Sequence, residues 1–237
     1  MVNTPVYMDN HATTRVDPRV VDAMLPLFDQ AFGNAGSTSH SFGWTAAETV
    51  DAARRSIAQQ IGASEREIVF TSGATESNNL AIRGVVERQA GQSKTGQGGH
   101  ILSVVTEHKA VLDPLHRVAR RGCDLTLLEV ADQTADCPGQ VDLNQFSDAL
   151  RDDTVLVSVM LANNEIGVLQ PIAEICEICK QKEILVHTDA TQAVGRIALD
   201  AAALQVDLMS FSGHKICLLY TSPSPRDGLL SRMPWSE

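Results

Sequence analysis

From residue 68 onward, short apolar runs alternate with longer segments of helical period. The runs are Ile68–Thr71, Ile101–Val105, Leu125–Val130, Val155–Met160, Ile184–Thr188 and Leu208–Phe211. Each is nearly continuously apolar, as a strand buried on both faces requires. Between them, Glu76–Gln89, Ala110–Arg121, Leu143–Leu150 and Ile172–Lys182 carry helical spacing. Strands alternating with helices predict a mostly parallel sheet flanked by helices, an α/β fold.

Upstream, Asp17-Pro18 reads as an N-cap followed by proline at the first helical position, predicting a helix to about Gln30. Phe32–Phe42 is rich in Gly, Ser, Asn and His and predicts a loop of the kind that lines sites. Trp44–Ile61 has helical period, and Gly62 suits its end. Gly91–Gly99 reads as a polar surface loop. After Ile216 the pattern stops. Cys217–Glu237 holds three prolines and four serines with no sustained period. It is expected to be foreign or out-of-frame sequence, with a disordered extension as the other reading.

Composition narrows the class. A chain of 237 residues with 43% hydrophobic and 20% charged positions can build a large globular core. A net charge of −10 disfavours phosphate-backbone binding, so no direct nucleic-acid partner is expected. Five cysteines, odd in number and irregularly spaced, point to a reducing, cytoplasmic setting. Met1–Asn10 lacks the pattern of a secretory leader, and no apolar stretch reaches membrane-spanning length.

Ligands of open parallel sheets bind beyond the carboxyl ends of the strands, so the residues that follow each run matter most. Ser72-Gly73-Ala74-Thr75 opens a helix and could cradle an anion on backbone N–H groups; a plain strand-to-helix turn is the other reading. His108 could stack on a ring and move a proton, or be a structural polar group. Asn163, Asn164 and Glu165 follow another run. Asp189 ends an apolar run, where a carboxylate needs a partner; a protonated pyridine nitrogen and a helix N-cap both fit. Of five lysines, Lys215 alone follows a buried run through a Ser-Gly-His turn, which suits a Schiff-base lysine, though a surface role fits the residue taken alone. Cys176 and Cys179 form a C-x-x-C whose helical spacing favours core packing over metal or redox chemistry.

Together, YMDNHATTRVDP, FGNAGSTSHSFG, EIVFTSGATESNNLAI, TEHKAVL, NNEIGVLQPI, HTDATQAVG and VDLMSFSGHKI resemble the cysteine desulfurases, in that family's order and over nearly all of residues 5–216. TEHKAVL with NNEIG looks like the housekeeping branch that serves iron–sulfur cluster assembly and tRNA thiolation. The resemblance implies the pyridoxal 5′-phosphate (PLP) transferase fold of type I, here with its second domain largely missing. It implies a homodimer, L-cysteine as substrate, and sulfur-acceptor or scaffold proteins as partners. Residues 1–15 would belong to the small domain, 16–216 to an incomplete PLP-binding domain, and 217–237 to an aberrant tail.

By the same resemblance Lys215 would be the Schiff-base lysine and His108 the ring-stacking acid/base. Asp189 would pair with the pyridine nitrogen, and Gln192 would bond the ring oxygen. Ala74, Thr75, Ser212 and His214 would hold the phosphate, and Asn164 would face the ring and substrate. The family's Tyr-Gly-Pro-Lys-Gly continuation is replaced here by Cys217-Leu218-Leu219-Tyr220. Its sulfur-accepting cysteine and its carboxylate-binding arginine have no counterpart, so the chain by itself is expected to be an inactive fragment. Two other functions fit the residues: another PLP enzyme of this fold, such as a selenocysteine lyase or aminotransferase, or a non-catalytic binding protein.

Overall fold

The computed structural model describes residues 4–92 and 98–218, in two compact units. Residues 73–211 form one. Residues 4–72 and 212–218 belong to the other. The apolar runs from Ile101 onward fall in the first of these, and a strand forms at each of them.

The 73–211 unit holds strands β1 (His100–Val104), β2 (Asp124–Leu128), β3 (Thr154–Ser158), β4 (Leu185–Asp189) and β5 (Leu208–Ser210). They form one sheet in the order β2-β1-β3-β4-β5, and every neighbouring pair is parallel. The connections carry α4 (Ala74–Gln92, before β1), α5 (Lys109–Ala119), α6 (Leu143–Ala149), α7 (Ile172–Lys180) and α8 (Ala201–Leu204). Parallel strands need such crossovers, and right-handed crossovers distribute helices over both faces.

Register shows how the faces are used. Ile101 pairs with Leu156, and Leu156 with Leu185. Their side chains share a face with Ile82 and Val86 of α4 and with Val111, Leu115 and Val118 of α5, forming a buried cluster. Two residues further along β3 and β4, Ser158 pairs with His187. Strand side chains repeat every second position, so Ser158, His187 and Asp189 lie on this same face. Between β3 and β4 runs α7, whose Ile172, Ile175, Cys176 and Cys179 are buried. Removing a methyl-rich side chain from the first cluster leaves a cavity. Ile101→Ala should cost the full-length protein about 2–5 kcal/mol, read as a fall in its denaturant midpoint.

In the other unit lie α1 (Pro18–Met24), α2 (Pro26–Asp29) and α3 (Ser41–Gln60). Asp17 caps α1 as expected, its side chain accepting from the Arg19 N–H. The expected single helix to Gln30 is interrupted at Leu25 because Pro26 lacks the N–H needed to continue the ladder. Gly62 ends the turn after α3 at φ 67, a conformation that costs glycine little. Ile68–Thr71 does not form the expected strand: it has no paired neighbour among the described residues. The Arg54 guanidinium instead donates to the Ile68 carbonyl and stands 4.9 Å from the Phe70 ring centre. Of the expected loop Gly91–Gly99, the first two residues continue α4, and residues 93–97 lie outside the described residues, as does the tail beyond Leu218.

Candidate active site

Six of the nine predicted site residues lie in the 73–211 unit, at or past strand ends or at the start of a helix. Ala74 and Thr75 open α4, a helix of 19 residues, after Gly73 turns the chain at φ 151. A helix start presents N–H donors and a positive dipole end, the arrangement that receives phosphate.

His108 is the N-cap of α5, with Nδ1 accepting from the Ala110 N–H at 3.0 Å. In the neutral ring that bond leaves the proton on Nε2, so Nε2 is the nitrogen able to donate. Asn164 is half-buried on a turn built by its neighbour. Asn163 Oδ1 accepts from the N–H groups of Glu165 and Ile166 at 2.8 and 3.0 Å, and its Nδ2 donates to the Thr106 carbonyl at 3.0 Å.

Asp189 is 5% exposed at the last position of β4. Its Oδ2 accepts from Asn78 Nδ2 at 2.8 Å, and its Oδ1 from the Thr191 N–H at 2.9 Å. Both donors are neutral. Each carboxylate oxygen has lone pairs left for a cationic donor. Gln192 is buried, and Arg196 donates to its Oε1 at 2.7 Å, which leaves Nε2 as the end that can donate elsewhere.

Sequence reasoning gave no role to four contributors, two of which, Glu107 and Asn163, it noted only as following apolar runs. Asn78 of α4 reaches Asp189 from 111 residues away. His187 is fully buried between the Ser158 hydroxyl at 2.9 Å and the Ser210 hydroxyl at 3.0 Å, so one ring ties β3, β4 and β5 together. Burial pushes its pKa down to about 4, against the opposing pull of the Asp189 charge. Asn163 shapes the turn beside it, and Glu107, 6% exposed, accepts from the Met160 N–H. The only sequence sign of His187 was its position two residues before Asp189 on the same strand face.

Five buried polar atoms on or near these strand ends have no partner among the described residues: Asn78 Oδ1, Thr106 Oγ1, Glu107 Oε2, Thr188 Oγ1 and Thr191 Oγ1. Buried polar groups are normally satisfied, so a cluster of exceptions marks a place built for a polar ligand. The donor set fits an anionic, aromatic cofactor with a ring N–H. Among the described residues no group of His, Cys, Asp and Glu could hold a metal ion.

Ser212, His214 and Lys215 belong to the other unit. There the His11–Asp17 segment runs beside residues 214–217. The Thr14 N–H donates to the His214 carbonyl at 3.0 Å, and the Asp17 N–H to the Cys217 carbonyl at 2.9 Å. Lys215 Nζ donates to the carbonyls of His11 and Ala12. His214 Nδ1 lies 3.2 Å from the Thr13 hydroxyl, and burial together with the Lys215 charge lowers its pKa.

The profile of the aminotransferase class-V family matches residues 6–218. The chain belongs to the class-V aminotransferases. This family is PLP-dependent, in keeping with the donors around Asp189. The class-V chain is 48% identical over 235 residues to a protein of Anaeromyxobacter dehalogenans named cysteine desulfurase IscS, covering 97% of this chain and 56% of that one. A solved structure titled NifS-like protein superposes with a TM-score of 0.84 at 37% identity, over 91% of this chain and 57% of the other. Another, titled SspA in complex with cysteine, gives 0.83 at 33% identity over 91% and 59%. The chain thus spans a little over half the length of these relatives. The parallel sheet flanked by helices is the fold of these neighbours, as the sequence pattern predicted.

The C-x-x-C is settled by burial. Cys176 and Cys179 sit in the core beside α7's other apolar positions, and burial pushes their thiols up to about 11 and about 12. Neither is a thiolate at neutral pH, as nucleophilic or ligating cysteines must be. Among the described residues no helix is long and apolar enough to cross a membrane.

Proposed function

We propose that the full-length protein is a PLP-dependent cysteine desulfurase, converting L-cysteine to L-alanine and passing the sulfur to an enzyme cysteine. The observation that carries this reading is Asp189: a buried carboxylate at a strand's carboxyl end, held by two neutral donors and flanked by unpartnered polar atoms. A protonated pyridine nitrogen is the partner this arrangement suits. Its relatives' names, cysteine desulfurase IscS and NifS-like protein, point to the same chemistry.

When bound, PLP supplies an electron sink for the substrate's reacting carbon. This chain's residues do the rest. Asp189 holds the ring nitrogen's proton. Ala74 and Thr75 receive phosphate on the start of α4, and Gln192 Nε2 donates to the ring oxygen. Asn164 would face ring and substrate, and the His108 imidazole would stack on the cofactor ring with Nε2 as the nitrogen able to move a proton. The SFSGHKI motif assigns covalent attachment to Lys215 and phosphate contacts to Ser212 and His214; that support is from sequence. By the resemblance the sulfur acceptor would be the family's loop cysteine, which has no counterpart in residues 6–218; Cys123, Cys176 and Cys179 are buried with raised pKa values, and the exposed Cys137 and Cys217 are given no role. Homodimerisation, cytoplasmic location and delivery of sulfur to acceptor or scaffold proteins for iron–sulfur cluster assembly or tRNA thiolation belong to the same reading.

The test is reconstitution. Full-length protein should take up PLP with visible absorption, and with L-cysteine and a thiol reductant should form alanine and sulfide in equal amounts over many turnovers. Protein that binds no PLP, or binds it and forms no alanine from L-cysteine, would refute the proposal.

A further inference from the structure

Glu107 stands one residue before His108, where the chain leaves β1. Its Oε1 accepts from the Met160 N–H, just beyond β3. Next to it, the Thr106 carbonyl accepts from Asn163 Nδ2. Two bonds therefore tie the exit of β1 to the exit of β3, and Glu107 supplies one of them. Its Oε2 has no partner among the described residues.

Among the described residues, the ionisable groups around Glu107 give it no cation. Asp189, on β4, acts on it as a like charge. His187, two residues earlier on the same strand face, is buried between two serine hydroxyls and uncharged at neutral pH. His108, on Glu107's own segment, is exposed and turns Nδ1 to the Ala110 N–H. Asn78 of α4 is uncharged and donates to Asp189, not to Glu107. Burial first, and the Asp189 charge second, push the Glu107 carboxyl well above the usual glutamate range. A proton on Oε2 removes the repulsion and leaves Oε1 as the acceptor for Met160.

We propose that Glu107 is a positioning residue that works as a neutral acid: it pins the segment carrying His108 to the exit of β3 while adding no second negative charge beside Asp189. The consequence for function rests on the cofactor reading of Asp189. An ionised Glu107 would compete with Asp189 for the ring proton; a neutral one leaves that proton to Asp189 alone. The consequence for stability rests on Glu107's surroundings and needs no cofactor.

The sign of the stability effect follows from proton counts. With its folded pKa raised, Glu107 keeps its proton in the fold after the unfolded chain has released it. The folded state then binds more protons, so stability is highest below the unfolded pKa and falls as pH rises toward the folded one. Glutamine at this position keeps an acceptor for the Met160 N–H and has nothing to titrate.

Two variants of the full-length protein test this, read by thermal midpoint and by the visible spectrum of bound PLP. Glu107→Gln should match wild type in acid and become the more stable of the two as pH rises through neutrality, by several degrees. It should keep the wild-type spectrum and its pH dependence. Glu107→Ala removes the acceptor for a buried N–H, and should lower PLP affinity roughly tenfold, with Glu107→Gln restoring it. An insoluble Glu107→Gln protein, a midpoint gap that does not widen with pH, or a spectrum as altered in the glutamine variant as in the alanine variant would each overturn the proposal. If wild-type protein fails to bind PLP, the proposed function falls, while the midpoints of the PLP-free proteins still decide whether Glu107 is neutral.

Discussion

Asp189→Asn should lower the turnover of the full-length protein roughly a hundredfold or more, the scale of losing one preorganised electrostatic partner. The fold should survive the change. The new amide must place an NH2 where an oxygen now accepts, either toward Asn78 Nδ2 or toward the Thr191 N–H. Asn78 can answer by rotating its own amide, since its Oδ1 has no partner in the present arrangement among the described residues. The lost quantity is charge. A neutral amide cannot hold the ring nitrogen's proton, so the cofactor's capacity as an electron sink weakens even when it binds. PLP occupancy and turnover should therefore separate: occupancy falls modestly and turnover collapses. Unchanged turnover at full occupancy would take Asp189 out of the active site, and with it the observation on which the proposed function stands.

How much of this was legible in the chain depended on whether neighbours along the sequence or neighbours in space carry the signal. The parallel strands from Ile101 onward were legible because burial on both faces leaves a continuous apolar run. Asp189 and His108 were legible because a polar residue close after such a run is itself the anomaly. Glu107 follows the same run as His108, but its burial was not legible. Glutamate beside a helix start ordinarily faces water, and nothing local says that this one is 6% exposed. Asn78 was hidden for a related reason: it is one polar position on α4, and its meaning comes from a carboxylate 111 residues away. The break at Leu25 had a visible cause in Pro26, and α8, four residues capped by Asp200, is too short to show a period. Ile68–Thr71 shows the converse error. Its composition is that of a strand, but a strand exists only through a partner, and here its Ile68 carbonyl bonds to Arg54.

Lys215→Ala should abolish covalent attachment of PLP to the full-length protein, with loss of the visible band that attachment produces and of turnover with it. The argument begins with the chemistry of the residue. An amine must be neutral to attack an aldehyde, and lysine reaches that state when desolvated or placed beside another cation. In the described fold Lys215 Nζ instead donates to the carbonyls of His11 and Ala12. The His214 ring next to it is lowered in pKa by burial and by the Lys215 charge, so it does not supply the second cation. Covalent attachment therefore requires Lys215 to leave these two carbonyls, and its rate should rise with pH as the amine loses its proton. Wild-type protein mixed with PLP should bind in two phases: a fast phase insensitive to this pH dependence, and a slower phase, accelerating toward alkaline pH, in which the visible band grows. The alanine variant should keep the first phase, because Ala74, Thr75, Asp189 and Gln192 are untouched, and lose the second. Borohydride reduction followed by peptide mapping checks the site directly. A reduced cofactor adduct recovered on Lys94, Lys109, Lys180 or Lys182, with the Lys215→Ala variant still labelled, would show that the SFSGHKI motif had been assigned the wrong role.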